Sequence, residues 1–332
     1  MAEYVHQTLE EMIPELEEMT RLGLFTAKET KIILKNRESF EYRLRQLTKT
    51  KASFLNYVEY EKKLLELLKI RRKKVASDSR KRELEKSIAD RIHQLYRLVT
   101  VRFQEDVSLW LQHIDFSKAL NEKAYVTRLY EKVLKIHSHN EDVWVQSARW
   151  ESSTDGNGNH ELAREILLKA HRVNPESQTI FLEMYHMELQ LAKQIIKRKS
   201  VLGLPSNMEG PKEDNGAEED KTAELKLAEI VYSKGLELFR GLADFHMKML
   251  SITSKFKEAR KLQAVIVADL QRLYPTNPYV WNGLALRHLN SLKKIGAEQR
   301  KVAVAQCLKV YDEAVEKVPT VSNDKEYGKK RK

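Results

Sequence analysis

Two tryptophans six residues apart, Trp144 and Trp150 in "VWVQSARWE", with Glu151 directly after the second, are residue types that can stack on a base or a ligand ring. Glutamates in comparable surroundings, Glu61 and Glu188, raise a second chemistry, that of carboxylates acting as acid or base. "HSH" (137–139) offers two imidazoles to a metal, and Cys307 is a thiol that could act as a nucleophile. Basic runs offer phosphate neutralisation: Arg71, Arg72, Lys73 and Lys74 in "KIRRKK", then Arg80, Lys81 and Arg82 in "RKR". A further basic run is formed by Lys329, Lys330, Arg331 and Lys332. Whether the tryptophans do chemistry or architecture depends on whether their pattern recurs.

It recurs. "VSLWLQHIDFS", "DVWVQSARWE" and "TIFLEMYHME" align on Trp110, Trp144 and Phe181, spacings of 34 and 37 residues; "ASFLNYVEYE" joins them through Phe54 and "YVWNGLALRH" through Trp281. Four places after the anchor stand Val58, Ile114, Ala148, Tyr185 and Ala285, apolar each time, as one face of a helix requires. Trp150 is the second aromatic of its own copy. Seven places after the anchor come Glu61, Glu151 and Glu188, with Ser117 and His288 as departures. A residue seven places on lies only about 20° from the anchor around the helix, so this glutamate is expected to pair with a nearby basic or backbone group.

A second pattern follows each first helix: "VTRLYEKVL", "AREILLKAH", "AEIVYSKGL" and "CLKVYDEAV". Positions 1, 4, 5 and 8 share one face and are apolar or Gly in all four, for example Val126, Leu129, Tyr130 and Val133. Position 8 is Val133, Ala170, Gly235 or Ala314, small enough to let two helix backbones approach closely. Cys307 takes position 1, where Val126, Ala163 and Ala228 stand in the sister copies, and so reads as a small buried residue. The HSH pair lies at a helix end with no third histidine or cysteine at ligand spacing. The sequence contains no Gly-rich phosphate loop, His-Glu-x-x-His helix or Gly-x-Ser-x-Gly elbow, so no catalytic residue, cofactor or metal is assigned and a non-enzymatic protein is expected.

These elements are helix pairs of about 34 residues that cannot bury their apolar faces alone and must stack. The expected fold is all-α, an α-solenoid of antiparallel helix pairs over 49–318 with an N-terminal helical segment over 1–48 and a basic flexible tail over 319–332. The aromatic anchor, second aromatic and glutamate resemble the half-a-TPR (HAT) repeat more than the ordinary tetratricopeptide repeat. Five or six copies are counted, with the one around "LADFHMKML" poorly formed. "KSVLGLPSNMEGPKEDNGAEEDK" (199–221) reads as a disordered surface insertion, and "SSTDGNGN" (152–159) as a shorter one.

Composition agrees with helices: 32% of the 332 residues are charged, with only 11 Gly and 7 Pro. The net charge of +11 suggests an acidic partner such as nucleic acid, and a basic surface of this kind is also compatible with many protein complexes. A single cysteine excludes an internal disulfide framework. No apolar run approaches the roughly 20 residues of a membrane span, and the polar N-terminus is unlike a signal peptide, so a soluble intracellular protein with no membrane partner is expected. The basic runs keep two readings each: a phosphate-binding surface or a solvated face for 71–82, and a nuclear import signal or a chance cluster for 329–332.

Ahead of the repeats, "IPELEEMTRLGLFTAKETKIILKNRESFEYRL" (13–44) reads as one amphipathic helix ending near Gly23, a buried Leu24–Phe25 turn, and a capping box of Thr26 and Glu29 that starts a second helix. This segment, with "FLNYVEYEKKLLELLKIRRKK", "DVSLWLQHIDF" and "LKIHSHNEDVWVQSARWE", resembles the U3 small nucleolar RNA-associated protein 6 family. The resemblance implies a nucleolar, non-catalytic HAT-repeat scaffold of the small-subunit processome. That particle assembles on U3 snoRNA and pre-rRNA, supports cleavage toward 18S rRNA, and includes β-propeller partner proteins. Members of that family continue into further repeats where this chain turns into "VSNDKEYGKKRK", which implies a C-terminally shortened form. The competing readings are a HAT scaffold of pre-mRNA splicing or 3′-end processing and a solenoid that binds RNA directly.

If the rings are packing elements, Trp144→Ala should lower the free energy of unfolding by roughly 3–5 kcal/mol. Chemical denaturation measures this directly, and an unchanged curve would return Trp144 to the set of possible ligand contacts.

Overall fold

The computed structural model describes residues 2–73, 80–202, 216–289 and 297–318. Among them the chain is all-α, with fourteen α-helices and one short 3₁₀ turn. It divides into two units, Met1–Val143 and Trp144–Lys332.

The first unit holds α1 (Ala2–Arg21), α2 (Ala27–Leu44), α3 (Lys51–Arg72), α4 (Arg80–Arg102), α5 (Val107–Ala119) and α6 (Lys123–Ile136). Consecutive helices pack as pairs, α1 on α2, α3 on α4 and α5 on α6. The pairs meet through α2 on α3 and α4 on α5, and α1 also reaches α4. The short link at 22–26 returns the chain: Gly23 adopts φ +67°, a conformation open to glycine without Cβ strain, and lets Leu24 and Phe25 turn inward to near-complete burial. Thr26 then caps α2 in a full capping box with Glu29, as the sequence indicates.

The N-terminal segment is not set apart from the repeats. Leu16, Met19, Ile33 and Leu44 share one apolar core with Phe54, Tyr57, Leu68, Ile92 and Tyr96, so the boundary expected near residue 48 falls inside a single packed cluster. The reason is simple: α1 and α2 each bury only one face, and the other pair is the nearest apolar surface.

The second unit contains most of α7 (Glu141–Ser152), then α8 (His160–Val173), α9 (Gln178–Leu202), α10 (Gly216–Leu238), α11 (Ala243–Thr253), α12 (Arg260–Leu273), α13 (Pro278–Arg287) and α14 (Ala297–Lys317). Here α9 packs on α10, α11 on α12 and α13 on α14. First helices also touch one another, α9 with α11 and α11 with α13, while α8 and α12 lean on the first helix that follows. The copy that reads as poorly formed in sequence is a complete pair, α11 and α12, held by Phe245, Met249, Leu250, Ile266 and Leu270. Its signal is faint because methionine and histidine occupy places where other copies carry tryptophan or tyrosine.

Two expected insertions change character. Lys199–Leu202 belongs to α9, and α10 begins at Gly216, so the stretch read as an insertion is helical at both ends and only 203–215 lies outside the described residues. Lys199 ion-pairs with Glu224 at 2.8 Å across that connection. "SSTDGNGN" is a tight turn with its own hydrogen bonds: Gly158 N donates to Ser153 O at 3.0 Å, Asn159 N to Glu151 O at 2.7 Å, and Asn157 Nδ2 to Glu151 Oε2 at 2.6 Å.

The five aromatic anchors and the second aromatic Trp150 are all buried: Phe54, Trp110, Trp144, Trp150, Phe181 and Trp281 each expose 9% or less, which leaves none of them available as a stacking platform. The indoles of Trp110 and Trp281 donate to the carbonyls of Gln104 and Pro275, six residues earlier in the turn that leads into each helix. Phe181 lies in a ring cluster with Phe239 and Phe245, centroids 5.5 and 6.0 Å away. Gly235 on α10 makes room for that cluster. A Cβ there would stand 2.9 Å from Phe181 Cε1, 3.3 Å from Met249 Sδ and 3.4 Å from Phe245 Cε1.

Helix propensity alone would make Gly235→Ala stabilising by about 1 kcal/mol. A methyl group at 2.9 Å would force the buried Phe181 ring to shift, so the substitution is expected to destabilise by about 1–3 kcal/mol instead. A higher midpoint in thermal or urea unfolding would show that the ring cluster yields.

Candidate functional site

The basic run 71–82 is the leading candidate for contact with nucleic acid, and its charges have partners inside the protein. Arg71, in the last turn of α3, donates from Nη1 to the Leu24 carbonyl at 2.9 Å and from Nη2 to Glu29 Oε1 at 2.6 Å. Its guanidinium also lies 4.5 Å from the centroid of the Phe25 ring. One cation therefore grips the whole 24–29 turn, by hydrogen bond, ion pair and cation–π contact. The Arg71 hydrogen bond, helped by the Thr26 backbone N–H, draws the Glu29 carboxyl down to about 2.

Arg72 ion-pairs with Glu85 of α4 at 2.9 Å. Lys73 caps α3 and is exposed. Lys74 lies outside the described residues, and so do Lys329, Lys330, Arg331 and Lys332. Arg80, Lys81 and Arg82 form the first turn of α4, where the backbone alone is described. No group of three His, Cys, Asp or Glu side chains among the described residues is placed to hold a metal, and His137 instead contacts the Gln104 carbonyl at 2.8 Å. Cys307 is buried on α14.

Sequence reasoning missed the charged cluster at the centre of the first unit. Arg37 on α2 has no exposed side-chain surface. It forms a fork with Glu61 of α3, Nε to Oε1 and Nη2 to Oε2, both at 2.8 Å, and its Nη2 also reaches Glu15 Oε1 of α1 at 3.1 Å. The second oxygen of Glu15 accepts from Ser87 Oγ and Arg91 Nη2 of α4, each at 2.7 Å. Two guanidinium and two carboxylate groups thus join four helices, with formal charges that cancel.

The electrostatics follow from that balance. Burial works against ionising Glu15, yet Arg37 and then Arg91 outweigh it and hold the carboxyl below the ordinary carboxylate range. Burial likewise opposes the Arg37 charge, and Glu61 and Glu15 more than reverse it. Glu41, nearby on α2, has no such fork and burial pushes its carboxyl up.

Two of the three recurring glutamates, Glu61 and Glu188, share one rule for their partner, while Glu151 accepts from Asn157 in the turn that follows its helix. Glu61 pairs with Arg37, and Glu188 of α9 pairs in the same forked way with Arg164 of α8, at 2.7 and 2.9 Å; in both cases the arginine stands 24 residues earlier, on the preceding second helix. Where Ser117 replaces the glutamate, the residue 24 places earlier is His93, which is hydrogen-bonded to His113 at 3.0 Å. Burial pushes the two imidazoles down to about 4 and about 3, so this pair is neutral at ordinary pH. A scan of the sequence for Arg and Glu at a separation of 24 would have found both forks.

Removing one member of a buried, balanced ion cluster leaves the others uncompensated, so Arg37→Ala should cost about 3–5 kcal/mol of stability. The pair replacement Arg37→Met with Glu61→Leu should recover much of that loss. Urea unfolding of the three proteins tests this, and a loss below about 1 kcal/mol for Arg37→Ala would mean that the cluster is not a support.

Comparison with known proteins bears on this region. Residues 9–91 match the model of a family described as U3 small nucleolar RNA-associated protein 6, and that segment contains Glu15, Arg37, Glu61, Ser87 and Arg91. Along 96% of its length the chain is 34% identical to a U3 small nucleolar RNA-associated protein 6 homolog of Mus musculus and 33% identical to the Homo sapiens homolog. A Schizosaccharomyces pombe protein of the same name is 27% identical over 80% of the chain. The chain spans about half the length of these relatives, 54% for the two mammalian ones. By the matched N-terminal helices and by a similarity that runs through nearly all its residues, the chain belongs to the U3 small nucleolar RNA-associated protein 6 family.

Proposed function

We propose that this chain is a non-catalytic helical-repeat scaffold associated with the U3 small nucleolar RNA particle, acting in the nucleolus within the small-subunit processome. There it supports assembly around the pre-rRNA on the way to 18S rRNA, alongside β-propeller partner proteins. The observation that carries this reading is the similarity, over 96% of the chain, to proteins named for their association with U3 small nucleolar RNA. The helical architecture adds to it, because stacked pairs offer long surfaces to partners while their bulky rings face inward.

A scaffold also fits what the ionisable groups do. The buried cluster of Arg37, Glu61, Glu15 and Arg91 joins helices to one another at zero net charge, which is a structural use of carboxylates and guanidiniums. Contact with RNA through protein partners is favoured over direct contact through 71–74. Arg71 and Arg72 already hold Glu29 and Glu85, and breaking those pairs would offset part of any phosphate contact. Among the described residues no helix is long and apolar enough to cross a membrane.

The test is recovery of RNA. An epitope-tagged chain, expressed in human cells and immunoprecipitated, should enrich U3 snoRNA over spliceosomal small nuclear RNAs and should stain nucleoli. Enrichment of splicing or 3′-end processing factors without U3 would replace this reading with that of a pre-mRNA processing scaffold.

A further inference from the structure

We propose that the groove between α2 and α3 is a docking site for an acidic peptide segment that presents two apolar side chains about one helical turn apart. The groove has a volume of about 330 Å3, at the small end of the ligand-sized range of about 300–1,000 Å3. Phe25, Ile33 and Leu64 are among its lining residues, each nearly buried. Ile32 of α2 and Leu67 of α3 also line it, and they remain 59% and 38% exposed. Isolated exposed aliphatic residues are ordinary, but two that face one groove from facing helices, above an apolar floor, form a continuous apolar recess. Ile70, one turn from Leu67 and 55% exposed, extends the same edge of α3.

The charges around this recess select the sign of the occupant. Glu29 lines the groove but is held by Arg71 and by the Thr26 cap, and Lys63 is held by Glu59 at 2.7 Å. Lys28 and Lys35 stand four residues before and three after Ile32, so the helix turns them to its side. Both are exposed and form no ion pair among the described residues. The rim is therefore net basic, and a segment with Asp or Glu flanking its apolar side chains would meet these lysines while its apolar face entered the recess. This is helix-in-groove recognition with electrostatic selection of the partner. It does not depend on the assignment to the U3 particle.

Selection from a phage-displayed library of random short peptides against the full chain tests the proposal. Two variants serve as controls, Ile32→Glu with Leu67→Glu, and Lys28→Glu with Lys35→Glu. Both alter exposed positions, and circular dichroism checks that both fold. Enriched peptides should carry two apolar residues three or four apart with flanking acidic residues. Fluorescence anisotropy of one synthesised winner should show binding at least about tenfold weaker to the first variant. Binding to the second variant should be weaker and less dependent on salt. Winners that are basic or uncharged, winners that bind the first variant as well as the parent protein, or no enrichment over an uncoated surface would each overturn the proposal.

Discussion

A guanidinium with no exposed surface must have its charge answered where it stands, and Arg37 is answered from two directions at once. Glu61 reaches it from α3 and Glu15 from α1, and Glu15 is held in turn by Arg91 of α4. Four helices that could slide over one another on apolar contacts alone are thereby fixed in register, because a shift by one turn would leave an ion buried without its counter-ion. The apolar core around it supplies most of the cohesion. The ions supply the specificity of the arrangement.

The same device, moved along the chain, shows how a repeat can be recognised by its joints as well as by its fillings. Arg164 and Glu188 reproduce the fork of Arg37 and Glu61 at an identical separation, in a different unit of the protein. Each fork ties the second helix of one pair to the first helix of the next. Arg149 and Glu183 make a third bidentate pair between α7 and α9, one repeat length apart, in which Glu183 is drawn down to about 2 despite its burial. Stacking is therefore secured by charge as well as by rings.

Much of this was legible in the residues. The anchors from Phe54 to Trp281, the small residue at the eighth place of each second helix, and the Gly23 to Glu29 turn all depend on local spacing, which a linear text preserves. What stayed hidden involves partners far apart in sequence and carried on long side chains. Arg71 looked like a free surface charge because nothing near it in the chain reveals that Leu24, Phe25 and Glu29 lie within its reach. The glutamate repeat was visible, but its arginine partners were hidden among many other basic residues. "SSTDGNGN" failed for another reason: its composition matches a solvated loop, while its small residues are what allow the chain to fold back on Glu151.

The indole latch described for Trp110 and Trp281 sets a rule about where such a chain tolerates change in length. Six residues separate donor from acceptor in both, so the entry turn and the anchor behave as a rigid hinge-pin whose span is metrically fixed. The stretches between a first helix and its second are of unequal length, from the brief link at 120–122 to the connection across 203–215. Growth of the chain by insertion is thus channelled to one end of each hairpin, which leaves the opposite end uniform from copy to copy.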